Sequence, residues 1–124
     1  MNEHELYTTI VGLNNYEGNK VFKVGSIVKL LKEPDNDYDL EAIACEVKYI
    51  GKTGYLANSV KTVIKGTMSS GRIYDKIDKI SFCEVKFISQ NSVIAKILSK
   101  NEIEKLLKEN PNDEFYHNIN EIEE

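Results

Sequence analysis

Two cysteines, two prolines and a single arginine, Arg72, are all that this 124-residue chain holds of three chemically telling residue types. Cys45 and Cys83 form no C-x-x-C pair, and the only histidines, His4 and His117, lie near opposite ends. Zinc-ligand spacing and a local Cys–His nucleophile are both missing. Two small buried hydrophobes in a reducing compartment are expected instead. With seven glycines and two prolines there is no low-complexity linker. Apolar runs extend for only a few residues, as at Val93-Ile94-Ala95, so nothing reads as a membrane span. Met1-Asn2-Glu3-His4-Glu5 is acidic and lacks the apolar stretch of a secretory signal, so the expected address is cytoplasmic. P-loop, G-x-S-x-G and H-E-x-x-H patterns are also absent, and no catalytic residue is expected.

What the chain does have is an ordinary balance for one soluble domain, 41% apolar and 29% charged residues. The net charge of −4 is unevenly spread. Residues 1–100 sum to +2 and residues 101–124 to −6, so a mildly basic body carries an acidic end. A body so weakly charged must hold any nucleic acid by specific contacts as well as bulk charge.

Strand signals dominate. Leu6–Leu13 is rich in β-branched and aromatic residues, and Val24–Leu31 is a second run that Glu33-Pro34 halts. Ile43, Cys45, Val47 and Tyr49 alternate with Ala44, Glu46 and Lys48, the period of a half-buried strand. Gly51–Gly54 reads as a turn into Tyr55-Leu56. Asn58 or Ser59 is placed to cap a short helix through Val60, Val63 and Ile64, ended by Gly66, with a small-residue loop at Met68–Arg72. Ile80–Ile88 and Ser92–Leu98 flank Ser89-Gln90-Asn91 as a hairpin. Ser99-Lys100-Asn101-Glu102 is a capping box opening a helix with Ile103, Leu106 and Leu107 on one face, closed at Asn110-Pro111. Asn112–Glu124 holds five acids and no Lys or Arg and is expected to fray. The sum is a mainly β fold: a small OB-like or SH3-like barrel of about six strands with one short internal helix and a C-terminal helix.

The acids of Asp35-Asn36-Asp37-Tyr38-Asp39, with Glu46, meet the oxygen spacing of an EF-hand loop, yet Leu40 stands where the sharp turn needs glycine. The flanks also read as strands, so a solvated acidic turn is expected and a metal or hydrolase site at Asp35–Asp39 is the lesser alternative. Tyr16, Tyr38 and Tyr55 each sit at a loop or strand edge beside Asn, Asp or Gly. They suit either half-buried lids over a core or a stacking platform for bases.

Asn19–Ile43, which includes Glu33-Pro34-Asp35-Asn36-Asp37-Tyr38-Asp39 and Ala42-Ile43, is followed by Gly51-Lys52-Thr53-Gly54-Tyr55-Leu56. Together with Thr9–Leu13 these segments resemble the HIRAN domain family over roughly Leu6–Ile88. The resemblance implies a modified OB-like barrel, without enzymatic activity or a cofactor, that grips the 3′-hydroxyl end of single-stranded DNA in repair or replication-fork processing. A separate helicase or nuclease is a candidate companion. By the same resemblance Tyr38 stacks on the terminal nucleotide, Asp39 accepts a hydrogen bond from the 3′-hydroxyl, and Asn36 shapes the loop and donates to phosphate or base. Tyr55 and Tyr16 supply further rings. Asn14, Asn15 and Asn58 stand where the family pattern has basic or aromatic residues, and Lys52 and Lys61 are the candidate substitutes. Residues 1–110 then form the barrel domain with its helix, and residues 111–124 an acidic tail. The competing function is a protein- or peptide-binding module using the same loop face.

Overall fold

Alternating burial builds the wall of the barrel. In the computed structural model, which describes residues 5–117, the strands are β1 (Tyr7–Val11), β2 (Ile27–Lys32), β3 (Ile43–Val47), β4 (Gly51–Leu56), β5 (Ile80–Ile88) and β6 (Val93–Ile97). Along β6, Val93, Ala95 and Ile97 turn inward while Ile94 and Lys96 stay partly exposed. The six strands close in the order β1-β4-β3-β2-β5-β6, every pairing antiparallel, with β6 returning to β1 through Tyr7↔Lys96 to Ile10↔Val93. Closure leaves no free sheet edge. Ile10, Val28, Leu30, Ile43, Leu56, Val85 and Val93 fill the interior. Cys45 and Cys83 are there too, fully buried free thiols in register with Leu30 and Val28 on either side of β2. Burial pushes both thiols well up from their ordinary range.

The β1–β4 seam is the shortest, with Ile10↔Leu56 and Val11↔Tyr55 as its registered pairs. Gly54 makes it possible, because a Cβ there would stand 2.6 Å from the carbonyl oxygen of Val11.

Four local expectations give way to packing. Tyr49 is not in the strand: Ile50 N–H donates to Val47 O at 3.0 Å, and Tyr49 takes the third turn position at φ 71°. That position ordinarily goes to Gly or Asn, so alternation alone could not reveal the turn. The turn expected at Gly51–Gly54 is instead the opening of β4. Residues 58–66 make successive turns rather than a helix, and Val60 is 97% exposed with no wall to pack against. The internal helix, α1 (Ser70–Tyr74), falls where a loop was expected, capped by the Ser69 hydroxyl accepting from Arg72 N–H and anchored by buried Ile73.

The capping box opens α2 (Lys100–Glu109) as read, with both reciprocal bonds formed. The chain beyond Pro111, expected to fray, folds back through α3 (Glu114–His117) as far as the described residues go. Phe115 and Tyr116 pack on Phe82 at 6.4 and 5.6 Å between ring centroids, and Asp113 pairs with Lys48. Phe82 and its register partner Lys29 lie on the outside of the wall and are nonetheless buried, with the Phe115 ring 4.8 Å from the Lys29 ammonium. His117 Nε2 lies 3.1 Å from Leu107 O, while His4 and Ile119 fall outside the described residues. No helix of the described residues is long and apolar enough to cross a membrane.

Candidate nucleic-acid interface

The loop from β2 to β3 is built by its own side chains. Asn36 N–H donates to Glu33 O at 3.0 Å, a tight turn with Pro34 at its second position. The Asn36 carboxamide oxygen then accepts from the N–H groups of Tyr38 (2.8 Å) and Asp39 (3.0 Å). One Asp39 oxygen accepts from Glu41 N–H at 2.9 Å, and Glu33 N–H closes the loop on Ala42 O at 2.8 Å. Asn36 and Asp39 of the Glu-Pro-x-Asn-x-Tyr-Asp-x-x-Ala run thus answer backbone N–H groups, and Pro34 fixes the turn between them and β2. The result presents Tyr38 almost wholly to solvent, 97% exposed.

Asp39 is also the link to the next wall. Its second oxygen accepts from the Asn58 amide at 2.9 Å, and the Asn58 oxygen accepts from Gly71 N–H at 2.8 Å at the start of α1. Gly71 leaves room for this bridge, because a Cβ there would stand 3.1 Å from the Asn58 oxygen.

A bulge orients the third wall. Cys45 pairs with Gly54 but Glu46 pairs with Lys52, so Thr53 is the extra residue of β4. Thr53 turns inward, its hydroxyl donating to Cys45 O, and the parity shift lets Lys52 and Tyr55 share the outer side. Tyr55 donates its hydroxyl to Glu33 at 2.7 Å, while Lys52 donates to Glu33 at 2.8 Å and to the Tyr55 oxygen at 2.9 Å. The Asn36 amide adds a third bond to the same carboxylate at 3.0 Å. Burial pushes the Glu33 carboxyl upward, but the hydrogen bonds from Lys52, Tyr55 and Asn36 outweigh it and hold the group below its usual range. Burial likewise opposes the Lys52 charge, and the bonds with Glu33 and Tyr55 reverse that and raise its pKa.

These walls enclose an open cleft of about 640 Å³. Tyr16, Asn36, Tyr38, Asp39, Tyr55 and Asn58 all line it, so six of the seven residues expected at a site converge from three separate chain segments. Lys52 is the exception. It stands behind Tyr55 with its charge committed to Glu33, and no lysine or arginine lines the cleft. Lys61 is exposed just past the lining residue Ser59, without an ion pair among the described residues. Asp39 is the one charged residue of the lining.

Glu33, a strand stop by its place before Pro34, is also the hub joining the loop to β4, a role for which its position in the Glu-Pro-x-Asn run is the available signal. Ser59 and Thr62, read as helix residues, belong to the cleft instead. The acids of the Asp35–Asp39 loop do not gather around a common point. Glu46 is carried off along β3, and no group of three or more metal-ligating side chains occurs among the described residues.

The HIRAN domain family model matches residues 4–77, more than half of the sequence, and the chain belongs to this family. The fold is similar to the crystal structure of the HIRAN domain of human HLTF, with a TM-score of 0.55 and 21% identity over 75% of this chain and 72% of that one. It is equally similar to the crystal structure of a protein from Lactobacillus plantarum, with a TM-score of 0.55 and 21% identity over 75% of this chain and 90% of that one. No curated protein matches. Membership of the family supports a nucleic-acid-binding module on a closed OB-like barrel.

Proposed function

We propose that the cleft binds the 3′-hydroxyl end of single-stranded DNA and performs no catalysis on it. Tyr38 stacks on the terminal base, Tyr16 and Tyr55 bound the slot, and Asp39 accepts a hydrogen bond from the terminal hydroxyl. A terminal phosphate brings negative charge to the same carboxylate and is rejected. The observation that carries this reading is the lining itself: exposed rings and amides surround one carboxylate, with no cation to welcome a phosphate. Asn36 and Asn58 hold Asp39 in place, and their amides are occupied in doing so. In the cell such a module marks strand ends for repair or fork processing in the cytoplasm, beside a separate helicase or nuclease. Titration of labelled strands ending in 3′-hydroxyl, 3′-phosphate or a blocked sugar is the test. Preference for the hydroxyl end supports the reading, and equal affinity for all three ends overturns it.

One observation favours a second reading, a peptide-binding face. Leu40 is 74% exposed on the same loop as Tyr38. Leu40→Ala leaves strand binding unchanged under the first reading and weakens peptide capture under the second.

A further inference from the structure

The cleft does not end at its own walls. Asn15 and Thr62 line it on one side and also line a second depression of about 350 Å³, so the two are neighbours that share those side chains. The far bank of that depression is the turn between β5 and β6, represented by Asn91 and Ser92. Its near bank is the turn after β1, with Asn14 and Asn15.

Both banks are held by the fold rather than by the groove residues themselves. Gly12, in the left-handed region at φ 76°, starts a turn in which Asn15 N–H donates to Gly12 O at 3.1 Å, and buried Leu13 anchors it. On the other bank Ser89 N–H donates to Ser92 O at 2.9 Å, and the Asn19 amide ties Ser89 O down at 3.0 Å. Asn91 therefore projects from a pinned turn.

The asparagines differ in whether the fold uses their carboxamides. The carboxamides of Asn19, Asn36, Asn58 and Asn110 are all bonded within the fold. Those of Asn14, Asn15, Asn91, Asn101 and Asn112 have no partner among the described residues, and the first three of these meet in this one depression. A carboxamide offers a donor and an acceptor side by side, the complement of the adjacent N6 donor and N7 acceptor of adenine. In a single strand the base edges are free to be read this way. No lysine or arginine lines the depression, so it supplies no ionic phosphate contact.

We infer that this depression is a base-reading subsite, taking an adenine base one or more nucleotides upstream of the strand end, through Asn14 and Asn91. The inference rests on the cleft holding the 3′ end, since a strand ending at Asp39 continues only in the 5′ direction. It makes the module selective at one internal position while remaining tolerant at the stacked terminal base.

A single dA moved stepwise through short dT strands tests it, each strand made with a 3′-hydroxyl and a 3′-phosphate. At one internal position dA is expected to bind about three- to tenfold more tightly than dT, the worth of one or two net hydrogen bonds. Asn91→Ala and Asn14→Ala are each expected to remove that preference and leave the ratio between the two end types unchanged. A preference absent at every position, or unchanged in both variants, overturns the subsite. The end-type ratio, read on the same strands, separates that failure from failure of the cleft reading.

Discussion

Tyr55 on β4 donates its hydroxyl to Glu33 at the end of β2, 2.7 Å away, and so ties the two strands that flank β3 into one wall of the cleft. The same carboxylate accepts from Lys52 and Asn36, which couples the loop that carries Tyr38 and Asp39 to the rigid barrel. Ring position and loop position are therefore not independent.

Glu33 gives that coupling a pH signature. Its folded carboxyl titrates below the ordinary value, so its contribution is present above about pH 4.3, the unfolded glutamate value, and is lost as pH falls through the folded one. Glu33→Gln is expected to cost about 1 kcal/mol at neutral pH, the modest end for bonds to charged groups that water partly screens. Melting curves from pH 7 to pH 3 check it: the variant should lose less stability than the parent across the acid limb.

Tyr38 and Asp39 should fail in different ways. Tyr38→Ala leaves the melting temperature unchanged, because the side chain is 97% exposed, and weakens every strand by about 1–3 kcal/mol. Asp39→Asn is expected to cost 3′-hydroxyl strands about 1.5–3 kcal/mol and 3′-phosphate strands little, so end discrimination collapses. Equal losses on both ends would leave Asp39 as the turn-former and Asn58 anchor that its bonds already make it.

The neutral lining predicts weak dependence on salt. With Lys52 committed to Glu33 and only Lys61 nearby, the log–log slope for a single strand should lie between about 0 and −2. A slope steeper than about −5 in a salt titration would reveal a cationic track elsewhere on the barrel.

Residues 111–117 matter to the fold although they lie outside the barrel. Phe115→Ala uncovers Phe82, which is 2% exposed, and removes the ring over Lys29. A loss of about 2–4 kcal/mol is expected from the aromatic contact and the surface exposed. Calorimetry decides between this and the unchanged melt that a frayed segment would give.

Gly54→Ala presses a methyl group against a backbone carbonyl at the shortest seam of the barrel. About 1–3 kcal/mol of destabilisation is expected, together with weaker strand binding because Tyr55 is the next residue. Chemical denaturation and strand titration of the variant measure the two effects.

The barrel was legible because its strands alternate. Val93, Ala95 and Ile97 announce their inner face, and the Ser99–Glu102 capping box fixes where α2 begins. The loop was legible through polar residues whose local hydrogen bonds are their reason for being there, Asn36 and Asp39 above all. What stayed hidden depended on contacts distant in sequence. Val60, Val63 and Ile64 have helical spacing, but the barrel offers Val60 nothing to bury against. Phe115 and Tyr116 sit among acids, and only Phe82 on the outer wall explains their folding back. The Thr53 bulge that brings Lys52 to Tyr55 is an offset between strands, and no single-strand pattern encodes it. Glu33 was visible as a residue and invisible as a hub, since its partners come from β4 and the far side of a proline turn.

Cys45 and Cys83 carry a practical consequence. Both thiols are sealed behind the wall on either side of β2, and their raised pKa leaves almost no thiolate at neutral pH. An alkylating reagent can therefore reach them only when a seam of the barrel opens. Mass-resolved labelling over time makes the pair an internal clock for barrel opening, with singly and doubly tagged chains distinguishing a strand that peels from one side from a barrel that opens as a whole.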